Sequence, residues 1–290
     1  MKVLCVGHAT YDMMIEMDGY PKENTKNRIK RMLGCGGGQA SNAAYLLGKW
    51  GIDTTFIGLV GNDKLGQLIK QELNSVNINT DYIKMDGQTT VSYIVANSQN
   101  GSRTIFTYHP TDFKMNNLEE DINPDIILMD GYEEHIAHKL LDKYSDCISV
   151  LDAEKNIDSI INLGKRVTYV VSSKNFLEQF SNIKIIDDNS LNNALEYASQ
   201  YFKNIIVTLE DKGCAYKGKR ISSIKVHPVD STGAGDIFHG AFVYGLIQGW
   251  DMDKILKMAN IAGALSVTRL GSRNSVCSLK EVEEIYNGIK

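Results

Sequence analysis

The chain has 290 residues, 43% hydrophobic and 23% charged, a composition that excludes a mainly disordered protein. Against 35 acids stand 31 lysines and arginines, a net charge of -4, so there is no basic excess to displace counterions from nucleic acid. No apolar run reaches the roughly 18 residues that span a bilayer, and the first residues read as a strand rather than a signal peptide. Five scattered cysteines (Cys5, Cys35, Cys147, Cys214 and Cys277) with no CxxC pair argue against a disulfide framework or a zinc knuckle. The expectation is a protein of the reducing cytoplasm, with neither nucleic acid nor membrane as partner.

In chain order, short β-branched runs alternate with longer amphipathic stretches, the pattern of a parallel sheet covered by helices. Strands are predicted at 2–7, 54–60, 125–129, 147–151, 167–171 and 205–209. Most are near-continuous apolar runs, as strands buried on both faces require. Helices are predicted at 41–49, 64–75, 133–144, 191–202, 236–248, 252–268 and 279–289. With four prolines and no Gly/Ser-rich or charge-block stretch, no linker divides the chain, and 1–290 reads as a single α/β domain.

Two places break the alternation. Residues 11–17 and 27–33 read as strands after the first one, and 89–96 with 103–108 read as a hairpin around 97–102. Four strands inserted at about 11–33 and 89–108 imply a small second sheet. Ligands in an open α/β sheet bind outside the carboxyl ends of the strands, so a flap over those ends would act as a lid that excludes water. Its apolar residues Met13, Ile15, Met17, Ile29 and Met32 offer a face for pairing in a homodimer.

The segment carrying most chemical information is Asp230-Ser231-Thr232-Gly233-Ala234-Gly235-Asp236, between a strand-like stretch at 223–229 and an apolar helical run. Small residues at 233–235 let backbone approach a ligand, and the first amides of the helix point outward unpaired. Such a turn is an anion hole. Asp236 inside it would repel a phosphate that was merely held. Were the phosphate being transferred, the carboxylate could take the proton of an attacking hydroxyl. The plainer alternative is a helix N-terminus with an acid that suits the dipole; on spacing alone both readings stay open. A second cluster, Gly34-Cys35-Gly36-Gly37-Gly38-Gln39-Ala40-Ser41-Asn42, precedes the helix at 41–49, and Asn42 offers both a donor and an acceptor to hydroxyl groups.

Other patterns fail. Gly233 and Gly235 are followed by Gly240, so the dinucleotide GxGxxG spacing is absent, and the motif comes late in the chain. Residues 213–219 approach a P-loop, but Arg220 stands where a Ser or Thr should, and strand follows rather than helix. That segment reads as a hairpin turn. His135 and His138 lack a third metal ligand and read as solvated surface. Lys26, Arg28, Lys30 and Arg31 read as an exposed lid-strand face.

Taken together, the two clusters resemble the paired signatures of the PfkB (ribokinase-like) carbohydrate kinases. The first matches as Gly37-Gly38-Gln39-Ala40-Ser41-Asn42, with Gly51 nine residues on, and the second as residues 230–236. The resemblance extends along the chain through Asp12, the Gly58–Gly66 stretch, Asn175-Phe176-Leu177-Glu178, Val207-Thr208-Leu209 with Gly213, Ala259-Asn260 and the loop 267–275. Glu210 departs from the family, which usually has glycine there. The resemblance implies a ribokinase-like α/β fold with a β-sheet lid, and ATP-dependent phosphorylation of a sugar's primary hydroxyl. Asp236 would be the general base, with the amides of Gly233, Ala234 and Gly235 stabilising the transferring group. Asp12, Gly38 and Asn42 would orient the sugar, and Arg103 from the lid would add positive charge. Asn175, Thr208, Gly213, Gly235 and Asn260 would serve ATP, and Glu178 would hold Mg2+ through water. Asp230, Thr232, Ser266, Arg269, Gly271 and Ser275 would form a K+ site, mostly through backbone oxygens.

Within the family, the Gly-Gly-Gln-Ala-Ser-Asn form and residues 100–105 look closer to fructokinases and ketohexokinases than to ribokinase. A sugar-phosphate kinase would need at least two basic groups aimed into the pocket, and Lys26, Arg28, Lys30 and Arg31 keep it in view. A nucleoside kinase has less support, since the lid shows no clear aromatic sandwich beyond Tyr11, Tyr93 and Tyr108. Outside kinases, a non-catalytic sugar or nucleotide sensor would gain nothing from Asp236, and a nicotinamide oxidoreductase lacks its fingerprint.

Overall fold

The computed structural model describes residues 1–110, 115, 121–155 and 157–289. The chain opens with β1 (Lys2–Val6), leaves the main layer for β2 (Thr10–Met17) and β3 (Arg31–Gly37), and returns through α1 (Gln39–Lys49) to β4 (Asp53–Val60). Next come α2 (Lys64–Asn74), β5 (Ile83–Met85), β6 (Val91–Asn97) and β7 (Arg103–Tyr108). An alternating run follows: β8 (Ile126–Met129), α3 (Glu134–Lys143), β9 (Ile148–Ala153), α4 (Asp158–Gly164), β10 (Tyr169–Ser173), α5 (Lys174–Ser181), α6 (Asp188–Ser199) and β11 (Ile205–Thr208). A hairpin of β12 (Cys214–Tyr216) and β13 (Lys219–Ile221) precedes α7 (Ala234–Ile247), α8 (Met252–Ser266) and α9 (Leu279–Gly288).

The main sheet has nine strands in the order β13-β12-β11-β10-β9-β8-β1-β4-β5. It is parallel from β11 to β5, and only the β12–β13 hairpin runs antiparallel at one edge. The apolar runs now have their cause: successive side chains enter cores on opposite faces. Val3 and Cys5 of β1 join Phe56, Leu128 and the helix residues Leu47, Phe242 and Ile255 on one side. Leu4 and Val6 join Ile57, Ile127, Leu140, Phe176 and Phe202 on the other.

The second sheet has the order β3-β2-β6-β7. Met14, Ile94 and Ala96 of its inner face pack on Leu270, which seats it over one end of the main sheet. β7 is exposed along its whole length.

The structure shifts several sequence expectations. The lid strand expected at 27–33 starts at Arg31 and runs through the glycines, because Gly34–Gly37 pair in register with Thr10–Met13. The strand expected at 167–171 lies at Tyr169–Ser173, since Val167 N is still bonded to Leu163 O at the end of α4. Segment 223–229 forms no strand. α4 and α5 were not foreseen; both are under nine residues, too short for a clear 3.6-residue period.

Candidate active site

Irregular chain leads into α7, whose N-cap Gly233 has φ 77° and ψ 0°, a left-handed conformation that glycine adopts without steric cost. The first bond of the helix runs from Ile237 N to Gly233 O at 2.9 Å. The amides of Gly233, Ala234, Gly235 and Asp236 therefore precede the intrahelical ladder, at the positive end of the helix dipole. Gly235 is exposed, with nothing within 4 Å of where its Cβ would stand, so the turn is open to a ligand.

Asp236 lies half-buried in this first turn, and its Oδ2 accepts from Asn42 Nδ2 at 2.7 Å. Desolvation, reinforced by the nearby Asp152 carboxyl, pushes its pKa up to about 7, against the pull of the Asn42 hydrogen bond and of His239. A carboxyl so placed accepts a proton readily at neutral pH. Asn42 itself is 2% exposed, and its Oδ1 has no hydrogen-bond partner. A buried acceptor left so costs about 1–3 kcal/mol, which a ligand hydroxyl beside Asp236 would recover.

On the lid side, Asp12 is buried on β2. Its Oδ1 accepts from Thr10 Oγ1 at 2.8 Å and its Oδ2 from Ser272 Oγ at 3.4 Å. Burial raises its pKa, partly offset by Thr10 and by the charge of Arg273. The glycine cluster is explained by close approach: a Cβ on Gly37 would stand 2.1 Å from Asp12 Oδ2. Gly38 caps α1, and a Cβ on it would stand 2.3 Å from His8 O.

Two positioning residues escaped the sequence reading. Asp130, just after β8, accepts from the amides of His8 (2.7 Å), Ala40 (3.1 Å) and Tyr132 (3.0 Å), clamping the end of β1 to the start of α1. An acid directly after a buried apolar strand was its only signal. Arg273 is buried, bonded to Glu72 at 2.8 Å and to Ser41 Oγ at 2.5 Å. Nothing in the local sequence distinguishes it from a surface arginine.

From the lid, Arg103 NH1 donates to Ser231 Oγ at 2.6 Å, and Ser231 Oγ donates to Gly101 O at 3.1 Å. The tip of the β6–β7 hairpin is thus fastened to the turn before the anion hole.

The residues expected to serve nucleotide and metal are arranged unevenly. Asn175 is exposed at the start of α5, and Thr208 Oγ1 is bonded to Ser172 O at 3.3 Å. Glu210 keeps a left-handed φ of 56°, so the loop retains the backbone shape that glycine would give, at a cost of about 1–2 kcal/mol. Gly213 is required by the hairpin, since a Cβ there would meet Ile221 O at 2.0 Å. Asn260 is 6% exposed, and its amide donates to Ile221 O at 3.1 Å, so the side chain pins the hairpin. At Glu178, Lys184 (2.9 Å), Lys174 (3.7 Å) and the Ile185 amide (2.9 Å) surround the carboxylate.

Among the described residues no cluster of three or more His, Cys, Asp and Glu is arranged for a metal. Of the expected K+ set, Asp230 joins Thr232 (amide at 2.9 Å, hydroxyl at 2.7 Å) to Gly271 N (2.9 Å). The Arg269 side chain instead turns to Glu281, while Ser266 and Ser275 bond nearby carbonyls. With both Asp230 oxygens engaged by the protein, the cluster reads as a clasp between two loops.

A parallel sheet under a β lid, with an anion hole and a carboxyl at its mouth, defines an α/β phosphotransferase of the ribokinase fold. The chain matches the family described as pfkB family carbohydrate kinase over residues 1–278, and it belongs to that family. It is 25% identical over 309 residues to a ribokinase of Staphylococcus aureus, covering 98% of this chain and 99% of that one. It is 23% identical over 293 residues to an ATP-dependent ribose-1-phosphate kinase of Halopiger xanaduensis, covering 95% of each. Among solved structures, an Arabidopsis thaliana ribokinase complexed with ribose and ATP superposes with a TM-score of 0.84 at 23% identity, covering 98% of this chain and 97% of that one. No helix among the described residues is long and apolar enough to cross a membrane.

Proposed function

We propose that this carbohydrate kinase transfers the γ-phosphoryl group of magnesium-bound ATP to a primary hydroxyl of a small neutral sugar, ribose or a ketose such as fructose. The observation that carries the reading is the contact of Asn42 with Asp236, at the N-terminus of α7 and with a buried Asn42 acceptor awaiting a donor. The sugar hydroxyl bonds to Asp236. As its oxygen forms the new bond to phosphorus, its proton passes to the carboxyl, and the bond to ADP breaks with the electron pair leaving on ADP. The amides of Gly233, Ala234 and Gly235 stabilise the charge on the transferring group, and Arg103 closes the lid side. A magnesium ion bound with the nucleotide would neutralise phosphate charge.

Neutrality of the sugar is supported by charge. Lys30 pairs with Asp18 and Arg31 with Glu16 on the lid, Lys26 and Arg28 are exposed, and Asp12 is buried on β2. Paired or exposed on the lid, these four bases do not supply the two basic groups that a sugar phosphate needs. Potassium activation remains part of the proposal, through main-chain oxygens of the Asp230–Gly271 clasp. Pairing of lids in a homodimer is supported by the exposure of Ile29, Met32, Tyr93 and Phe106; of the face expected from the sequence, Met17 is buried and Met13 and Ile15 are half-buried.

ADP release from magnesium-ATP over ribose, fructose, aminosugars, sugar acids and sugar phosphates tests the reading. Turnover of ribose or fructose supports it, and turnover restricted to phosphorylated sugars overturns it. ATP binding without turnover of any sugar would instead fit a sensor.

A further inference from the structure

At the carboxyl ends of β8 and β9, where an open α/β sheet binds its ligands, lies a cavity of about 320 Å3. The turn from β8 into α3 forms one wall and the turn from β9 into α4 another. Gln39, the first residue of α1, adds a third. Gln39 follows Gly38 in the glycine cluster and precedes Asn42 by three positions on the same helix, a spacing that puts Cβ atoms about 5–6 Å apart. The cavity therefore begins one helical turn from the contact of Asn42 with Asp236 and shares a wall with the proposed sugar site.

Its polar groups are held in place before any ligand enters. The Tyr132 ring stacks on that of His8, with centroids 4.1 Å apart and planes at 9°, and Lys155 Nζ donates to the Tyr132 hydroxyl at 3.1 Å. Gln39 Nε2 donates to Glu154 Oε2 at 2.8 Å. Asp130 has little left to accept, since its oxygens already hold the amides of His8, Ala40 and Tyr132. Glu133 and Glu134 stand at the N-cap and first position of α3, where the helix dipole suits them. The capacity that remains is mixed. Gln39 Oε1 and Glu154 Oε1 can accept, Tyr132 and Lys155 keep hydrogens to donate, and the Ser159 hydroxyl can do both. Glu154 and Lys155 carry opposite charges, so together they select neither an anion nor a cation. An uncharged group that donates and accepts at several points is a set of hydroxyls. At about 30 Å3 per water the cavity has room for roughly ten waters, enough for one further sugar ring.

We propose that this cavity is a second acceptor subsite, and that the sugar phosphorylated here carries a further polyhydroxylated unit, a glycosyl group, away from its reacting hydroxyl. This rests on the reading of the chain as a sugar kinase with Asp236 as the base. The reacting hydroxyl lies at Asp236, the first ring lies by Gly38 and Asn42, and the glycosyl group lies between Gln39 and Tyr132. Glu154 and Lys155 then select for the length of the acceptor.

The test compares ribose and fructose with the same sugars glucosylated at each position in turn, sucrose and turanose among them, as acceptors from magnesium-ATP. The best glucosylated acceptor should exceed its parent sugar at least about tenfold in kcat/KM; no gain from any of them overturns the proposal. Ser159→Phe, which fills the cavity, should abolish the gain and leave the parent sugar unchanged. Lys155→Met, which removes a donor without filling space, should reduce the gain about threefold to tenfold. Losses shared equally by parent and glucosylated sugar in both variants overturn the subsite. Should no sugar be phosphorylated, the kinase reading fails on its own, and calorimetric titration of sucrose and turanose against fructose still decides the subsite. Tighter binding of a disaccharide, lost in Ser159→Phe, supports it, and binding no tighter than that of fructose overturns it.

Discussion

Asn42 and Asp236 stand 194 positions apart in the chain and 2.7 Å apart in the fold, the amide of one on the carboxyl of the other. The contact joins the first turn of α1 to the first turn of α7, so the two helix N-termini meet at the mouth of the sheet. A single hydrogen bond thereby links the residue proposed to orient the sugar with the one proposed to take its proton.

Replacing the base removes the proton acceptor but leaves the shape of the site. Asp236→Asn is expected to lower kcat about a thousandfold while ATP still binds. Steady-state ADP release with calorimetric ATP titration checks this, and a loss below tenfold would reject the role.

Gly37 and Asp12 give a prediction confined to the sugar. A methyl group at position 37 would occupy the place of the Asp12 carboxylate, at 2.1 Å, so Gly37→Ala must turn Asp12 away. The KM for sugar should rise at least about tenfold, with the KM for ATP little changed. Equal rises in both constants would mean a general disturbance of the fold.

Arg103 is exposed, and its bond to Ser231, with that of Ser231 to Gly101 O, fastens the lid next to the anion hole. Arg103→Ala is expected to lower kcat between about tenfold and a hundredfold, with stability changed by no more than about 0.5 kcal/mol. Kinetics and a urea melt on the same preparation separate the two effects.

Chemistry carried by adjacent residues was legible in the sequence. The 230–236 turn declares itself because its small residues and its acid are consecutive, and the strands of the main sheet declare themselves as apolar runs. Asp130 and Arg273 were not legible, since His8 lies 122 positions from the first and Ser41 lies 232 from the second. The same limit explains Glu178 and Asn260. Their motifs were visible, but the occupation of one by Lys184 and of the other by Ile221 depends on how the chain returns.

The buried guanidinium of Arg273 gives a prediction about stability. Its side chain is 2% exposed and that of Glu72 is 31% exposed, so removing the acid leaves a desolvated charge without its partner. Glu72→Ala should cost about 2–4 kcal/mol, and Glu72→Ala combined with Arg273→Met should recover much of it. Urea melts of the three proteins decide the matter; additive losses in the double variant would show that the pair is not coupled.

The raised pKa of Asp236 fixes how its substitution changes stability with pH. In the folded chain this carboxyl holds its proton up to about pH 7, whereas unfolded it loses it near 3.8. Between those values the folded state binds more protons than the unfolded one, so the contribution of Asp236 to stability falls as pH rises. Below the window Asp236 is neutral in both states and resembles asparagine; above it, the fold holds a poorly solvated charge. Asp236→Asn should therefore melt close to wild type at about pH 4. Its advantage should grow through the window to at least about 3 °C by pH 8, then stay level. Thermal melts of both proteins from pH 4 to 8 measure the difference. An advantage that shrank as pH rose would mean that the carboxyl is stabilised in its charged form, the reverse of what its burial beside Asp152 requires.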